Sequence, residues 1–313
     1  MRAVIGNGRP VHATSGERAL PDKLEESMLE PDATSGPMGY YGPDFDYEYS
    51  SGSVLRHVVI EFAGGMQGRS ASLTLNGRGP FIDNVTFRSG RGSGMTLGDM
   101  HHALYVRNSI WEDMYQCIRT TGGYDFPFDI VVLRSQFRRI SSSCIDLPSR
   151  GVVDGAEFRV QGCTFDDVGS SALVHNNFDG KVRVIGNSFS QVGAAIGVRD
   201  GRYNGAQYRD SILVFDNVVT GARSTAVHVR GYFGSPERDA TLVIGNKITG
   251  AFGGINVDFS GRSDVYVGRA MIVDNEIADL THQAAIWVSV ALLPYCYSPW
   301  RPIFVVRVEL GGP

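Results

Sequence analysis

Four polar residues recur at equivalent places in one short motif, and their types suit proton transfer and polar recognition. They are Arg119, Asp146, His228 and Asn256. A carboxylate and an imidazole can move protons, a guanidinium binds anionic groups, and an amide both donates and accepts hydrogen bonds. Each follows a small residue and an apolar residue, in the segments CIRT, CIDL, AVHV and GINV. Whether the four can act together depends on whether these segments stack on one another.

The motif is the second half of a repeat of 24 to 30 residues. In the first half, two or three apolar residues precede a turn residue, and another apolar residue follows two or three places later. The turn residues are Asn84, Asn108, Ser135, Cys163, Asn187, Asn217, Asn246 and Asn275, with Val59 in an earlier copy. The second half starts at a small residue, which is Gly94, Cys117, Cys144, Ala172, Ala195, Ala226, Gly254 or Ala285.

This repeat predicts a solenoid of parallel strands. Two strands with period-2 alternation in each copy, and no helical pattern between them, exclude βαβ units. A coil this short cannot bury its own apolar face, so successive coils must stack about 4.8 Å apart. Parallel crossovers are right-handed in nearly all proteins. We therefore predict an all-β, right-handed parallel β-helix of about nine coils, in which the turn residues form an internal hydrogen-bonded ladder.

Both ends of the chain lack the repeat and are predicted to cover the open ends of the solenoid, which would otherwise expose unpaired backbone. We assign residues 1–52 to a first coil, cap helix and loop, residues 53–290 to the solenoid, and residues 291–313 to a C-terminal cap. The cap helix is predicted at residues 18–30, where apolar residues fall on one helical stripe. They are Leu20, Leu24, Met28 and Leu29. A lateral insertion in this region is the alternative.

Stacking of the coils would bring the middle residues of the second motif into one outward-facing row. This row is Thr96, Arg119, Asp146, Val174, Gly197, His228, Asn256 and Trp287. We take Arg119, Asp146 and His228 as candidate catalytic residues. The candidate substrate-binding residues are Asn256, His175, Asp200, Arg230 and Asp258. The alternative is an ordinary polar sheet face, on which an Arg119–Asp146 ion pair would contribute under about 1 kcal/mol.

Two segments, SVLRHVVIEFAGG (53–65) and RPVHATSGERALP (9–21), resemble the pectin-lyase-like right-handed β-helix superfamily. The likeness is closest to uncharacterised bacterial β-helix repeat proteins and covers residues 5–290. It implies binding of a polysaccharide or surface glycan across the strand face, and secretion or display on the cell surface. If the protein is an enzyme, the resemblance implies a polysaccharide lyase or a glycoside hydrolase. A non-catalytic structural or adhesion module of the cell surface is the alternative.

The sequence contains only some of the catalytic groups that such enzymes need. Glycoside hydrolysis uses two carboxylates about 5 to 9.5 Å apart. Asp146 and Asp200 are expected two coils apart, at about 10 Å. An elimination would need a base and a cation, so calcium stays open as a cofactor, although no acidic cluster for it is evident. The loop residues Asp99, His101 and His102 suggest a metal site only weakly, and we predict none.

Composition narrows the partners further. A net charge of -4 gives no global basic field, so we expect no nucleic acid to bind. No run of 18 apolar residues is present, so no membrane insertion is expected, and the first ten residues lack the apolar core of a signal peptide. We expect a monomer. Cys117 and Cys144 should be stacked buried thiols, with a disulfide as the alternative, and the sequon at Asn84 should be inaccessible inside the ladder.

Overall fold

In a computed structural model of the protein, the described residues are 53–63, 71–77, 79–100, 103–120, 129–148, 156–178, 180–200, 211–230, 240–258, 269–282, 285–289 and 304–310. Every regular element among them is a β-strand. In chain order the strands are β1 (Val54–Arg56), β2 (Val59–Glu61), β3 (Ala71–Gly77), β4 (Phe81–Asp83), β5 (Thr86–Arg88), β6 (Ser93–Met100), β7 (Leu104–Arg107), β8 (Ile110–Met114), β9 (Gln116–Thr120), β10 (Ile130–Leu133), β11 (Gln136–Ile140), β12 (Ile145–Pro148), β13 (Ala156–Gln161), β14 (Thr164–Phe178), β15 (Gly180–Ile185), β16 (Ser188–Asp200), β17 (Ser211–Phe215), β18 (Val218–Thr220), β19 (Thr225–Arg230), β20 (Ala240–Ile244), β21 (Lys247–Thr249), β22 (Gly253–Asp258), β23 (Arg269–Ala278), β24 (Ile286–Ser289) and β25 (Phe304–Leu310).

The strands stack in three columns, and every pairing between them is parallel. The first column is β1, β4, β7, β10, β13, β15, β17, β20, β23 and β25. The second is β2, β5, β8, β11, β14, β16, β18, β21 and β23. The third is β3, β6, β9, β12, β14, β16, β19, β22 and β24. The protein is therefore a parallel β-solenoid, and the predicted all-β class is confirmed.

In the interior, like residues stack on one another from coil to coil. Five aromatic rings from the second column are stacked nearly parallel one above the next, with centroids 4.7 to 5.3 Å apart. They are Phe87, Trp111, Phe137, Phe165 and Phe189. Each of the three inner rings lies between two others, so the stack stabilises the register between successive coils.

The internal ladder forms, but it does not contain all the predicted residues. From Cys163 onward, each backbone N–H of the ladder donates to the side chain one coil further along the chain. The Cys163 N–H donates to Asn187 Oδ1 at 2.8 Å, and the Asn187 N–H donates to Asn217 Oδ1 at 3.0 Å. Asn246 and Asn275 continue it in the same way. These buried amides also bond one another and nearby carbonyl oxygens, which satisfies the turn backbone.

Asn84 and Asn108 were wrongly placed in this ladder. Both have a positive φ, near 57° and 51°, and both are exposed at the turn. The inward position in these coils belongs to the following residue, so Val85 N donates to Ser109 Oγ at 3.2 Å. In the first copy, Val59 likewise points outward and is 56% exposed. Asn84, and with it the sequon, is therefore exposed rather than inaccessible.

The thiol prediction is confirmed, and the disulfide alternative is wrong. Cys117 and Cys144 are free and fully buried in adjacent coils, where the Cys117 N–H donates to the Cys144 carbonyl at 3.2 Å. Burial raises the pKa of the Cys117 thiol well above its ordinary value. Cys163, in the ladder, is also free and buried, and burial raises its pKa to about 12. All three thiols should therefore react slowly in the folded protein.

The outer side of the second column carries an alternating ladder of charges. Its residues, in register, are Glu61, Arg88, Glu112, Arg138 and Asp166. Arg138 Nη2 lies 3.1 Å from Glu112 Oε2, and Arg88 pairs with Glu61. The exposed Asp166 and Asp167 belong to this side of the solenoid, so they are remote from the candidate row on the third column.

Both predicted caps lie largely outside the described residues. The cap helix at residues 18–30 and the loop after it fall there entirely. In the C-terminal segment, β25 pairs in parallel with β23 and so extends the solenoid by one strand.

Candidate functional site

The third column brings the predicted row together. Its cross-strand partners run Thr96, Arg119, Asp146, Val174, Gly197, His228, Asn256 and Trp287 without a break. The alternation of β-strands places these residues outside because their neighbours Ile118, Ile145 and Ile196 are buried in the core. Thr96 is the exception to the predicted exposure, since it is only 7% exposed. We call the residues from Arg119 to Trp287 the central row.

Asp146 is the carboxylate of the central row, and it is partly withdrawn from solvent. Burial raises the pKa of Asp146, while a hydrogen bond from Gln116 and the charge of Arg119 act in the opposite direction. Gln116 Nε2 donates to Asp146 Oδ2 at 3.2 Å, and Ser93 Oγ donates to Gln116 Oε1 at 3.5 Å. The buried Gln116 amide is thereby oriented so that its donor end faces the carboxylate. Asp146 is consequently held in one position beside Arg119.

The side chains in the middle of the central row are short: Val174 has a small side chain and Gly197 has none. We call this depression in the surface the low point of the row. A Cβ atom on Gly197 would meet only the Leu173 carbonyl oxygen, at an ordinary contact distance of 3.5 Å. By contrast, a Cβ atom on Gly193 would approach the Ser170 carbonyl oxygen to 2.3 Å. The fold thus requires glycine at position 193 but not at position 197. A glycine that the backbone does not need, in a strand that it weakens, leaves room for something to approach the sheet.

The far end of the central row combines polar groups with an aromatic surface. His228 and Asn256 are half-buried, and Trp287 beyond them is 61% exposed. The Asn256 Oδ1 atom has no hydrogen-bond partner among the described residues. The exposed indole offers an apolar platform, whereas the Asn256 Oδ1 atom is buried and does not face solvent.

A second row of paired residues lies two positions further along the same strands. It pairs Asn176, Arg199, Arg230, Asp258 and Ser289. Arg230 Nε lies 3.4 Å from Asp258 Oδ2, so these two predicted binding residues form an ion pair beside the central row. The side chain of Asp200, next to Arg199, lies outside the described residues.

Two predictions about the site are wrong. His175 was expected at the rim of the face, but it points inward, is 2% exposed, and packs edge-on against Phe158 with centroids 4.9 Å apart. It is in register with Val198 and Leu147, which are core residues. The second error concerns the acid pair: Gly197, not Asp200, stands two coils from Asp146. Asp200 lies three residues further along β16, or about 10 Å more.

Two residues matter here that the sequence did not single out. Gln116 precedes the motif, and nothing in the sequence indicated its hydrogen bond to Asp146. Trp287 was placed in the row but not among the site residues. Its predicted outward position is confirmed, since it is 61% exposed.

Metal and membrane sites were also sought in the described part of the chain. Within those residues, no group of three or more His, Cys, Asp or Glu side chains could hold a metal ion. His101 and His102 fall outside them. No helix among the described residues is long and apolar enough to cross a bilayer.

Comparison with known proteins finds no family model, no curated protein and no solved structure that matches this chain.

Proposed function

We propose that the protein binds a polysaccharide along the central row of the third column. The observation that carries this proposal is the continuous register of Arg119, Asp146, His228, Asn256 and Trp287 around the low point at Gly197. A sugar chain presents hydroxyls, acidic groups and apolar ring faces at regular intervals. The row offers hydrogen-bonding groups, a guanidinium and an exposed indole at a regular spacing of about 4.8 Å.

The geometry favours binding over glycoside hydrolysis. Asp146 and His228 are three coil steps apart in the register, or about 14 Å. Two catalytic carboxyl groups on one glycosidic bond lie about 5 to 9.5 Å apart. Asp146 is the one carboxylate of the central row, and Asp258 in the adjacent row is paired with Arg230. The arrangement therefore suits recognition of a chain better than cleavage by an acid pair.

The test is a binding screen of the purified protein against uronic-acid and neutral polysaccharides, followed by the variant Gly197→Val. A valine side chain fits the strand but fills the low point of the row, so binding should fall at least about tenfold. Thermal stability should stay the same or rise slightly, because glycine is the weaker strand residue.

A matched control is Ser190→Val on the outer side of the second column, which should leave binding unchanged. Assays for unsaturated products and new reducing ends on the same samples detect lyase or hydrolase activity. If no polysaccharide binds, or if Gly197→Val binds as the parent does, the proposal is wrong. The non-catalytic structural or adhesion module is then the better account.

A further inference from the structure

Five outward residues of strands β13 and β15, in the first column, form a charged group. They are Glu157, Arg159, Gln161, Lys181 and Arg183. They face outward because they alternate with the core residues Phe158, Val160 and Val182. Lys181 is in register with Glu157, and Arg183 is in register with Arg159. We call these five residues the β13–β15 group.

Arg159 is the buried charge of the β13–β15 group. It is only 2% exposed, and its partner in the preceding coil, Val131, is an equally buried apolar residue. The Arg159 Nε atom donates to Glu157 Oε1 at 3.1 Å, whereas the buried Nη1 atom has no hydrogen-bond partner among the described residues. A buried guanidinium nitrogen without an acceptor costs free energy. An acceptor that reaches Nη1 would therefore stabilise the folded protein.

The carboxylates near Arg159 do not balance the positive charge. Glu157 is shared between Arg159 and Lys181, and Asp129 accepts the backbone N–H of Glu157 at 2.8 Å. Burial lowers the pKa of Lys181, and the charge of Arg183 acts in the same direction, whereas Glu157 and Asp129 act in the opposite one. Three cations thus face two carboxylates in a partly desolvated place. Such an excess of positive charge favours an anion.

Gln161 supplies a second buried atom that lacks a partner. It is 8% exposed, and its Oε1 atom has no hydrogen-bond donor among the described residues. Its cross-strand neighbours Leu133 and Ile185 are buried and apolar, so their side chains cannot donate to it. One open atom in the group is thus a donor, at Arg159, and the other is an acceptor, at Gln161. A ligand that satisfies both must carry a negatively charged oxygen and a hydroxyl.

We propose that the β13–β15 group binds a small oxyanion with a hydroxyl, of the class of hydrogen phosphate. A charged oxygen accepts from Arg159 Nη1, and the hydroxyl donates to Gln161 Oε1. The two residues are about 7 Å apart along β13, which two long side chains can bridge through one ion. The half-buried Lys181 and Arg183 lie at the edge that solvent reaches. Because Arg159 is almost fully buried, the site suits a small ion and not a charged polymer.

Melting curves of the full chain in phosphate, sulfate and chloride, at equal ionic strength and neutral pH, test the proposal. Sulfate has the shape of phosphate but no hydroxyl, and chloride has neither. An ion that binds only the folded state raises the melting temperature. We expect millimolar phosphate to raise it by at least about 2 °C more than sulfate or chloride does. Equilibrium dialysis with inorganic phosphate should detect the bound ion directly.

Two variants locate the effect. Arg159→Met keeps a long side chain but removes the donor and the charge, so it should abolish the response to phosphate. If Arg159→Met does not fold, Gln161→Leu still tests the site: it keeps the charge and removes the acceptor, so phosphate should stabilise it no more than sulfate does. Arg138→Met, on the second column, is the matched control for Arg159→Met and should respond as the parent does. Gly197→Val should also keep the response, because the β13–β15 group and the central row lie on different columns.

Two outcomes would overturn the proposal. Phosphate that stabilises the parent no more than chloride would show that the group holds no such ion. A phosphate effect that persists in Arg159→Met would mean that the ion acts elsewhere on the surface. Equal effects of phosphate and sulfate on the parent would contradict the hydrogen bond to Gln161 and with it the ligand class.

Discussion

At the residue scale, Arg119 and His228 lie in the central row on opposite sides of the low point formed by Val174 and Gly197. Replacement of either by alanine removes no core contact, because both side chains face outward. We expect Arg119→Ala and His228→Ala each to weaken polysaccharide binding by about 1 to 3 kcal/mol, the usual cost of losing a charged hydrogen bond. Calorimetric titration with the polysaccharide found in the screen measures this.

The control for these variants is Asp167→Ala, since Asp167 is exposed on a turn of another side. It should leave the affinity unchanged. If it lowers affinity as much as Arg119→Ala does, the loss is not specific to the row.

The half-buried Asp146 predicts a pH dependence of stability. Because burial raises the pKa of Asp146 in the folded protein, ionisation of this carboxyl opposes folding. Its unfavourable contribution should be absent below the ordinary aspartate pKa and should grow as pH rises through the raised value. Asp146→Asn cannot ionise, so the melting temperature of this variant should match the parent at low pH and equal or exceed it near neutrality.

Melting curves of both proteins across this pH range provide the measurement. A variant that is less stable than the parent only above pH 5 would reverse the expected sign. In that case the ionised carboxylate, through Arg119 and Gln116, would stabilise the fold.

At the element scale, the turn asparagines are of two kinds: those buried in the ladder, such as Asn217, and those exposed with a positive φ, such as Asn84. Asn217 accepts from both the N–H and the Nδ2 of Asn187 and donates to the Val184 carbonyl, all inside the solenoid. Asn217→Ala leaves these buried groups unpaired, so unfolding free energy should fall by at least about 3 kcal/mol. Asn84→Gly should change it by less than about 1 kcal/mol, because glycine accepts the same positive φ and Asn84 is exposed. Denaturant titration compares the two, and equal losses would contradict the corrected ladder.

The repeat predicted the solenoid and the central row, because apolar alternation fixes which side of a strand faces the core. It predicted two strands in each coil, whereas the structure has three. It could not fix the turns, since asparagine suits both an inward hydrogen-bonding position and a left-handed one. One signal separated the two: the next core aromatic residue lies three places after Asn84, at Phe87, but two after Asn187, at Phe189. His175 was misplaced for a related reason, as it occupies a strand position that holds valine in the next coil.

At the scale of the whole molecule, the regular spacing of the coils fixes the distances between the residues of the central row. The central row extends over six coil steps from Arg119 to Trp287, or about 30 Å. Because the row lies along a sheet face, affinity for an extended chain would come from many modest contacts along its length. The side chains that surround Asp146 and Gly197 could be read only from the structure, because they come from strands distant in sequence.

The central claim is that one extended chain lies along the central row, and the dependence of affinity on ligand length tests it most directly. Calorimetric titration with a series of oligogalacturonides and a series of neutral gluco-oligosaccharides should find one series whose affinity rises with length and levels off once the ligand spans about 30 Å. In Trp287→Ala the plateau should be reached at a shorter length and a lower affinity. Affinity that does not depend on length, or a length dependence that Trp287→Ala and Gly197→Val leave unchanged, would contradict the account.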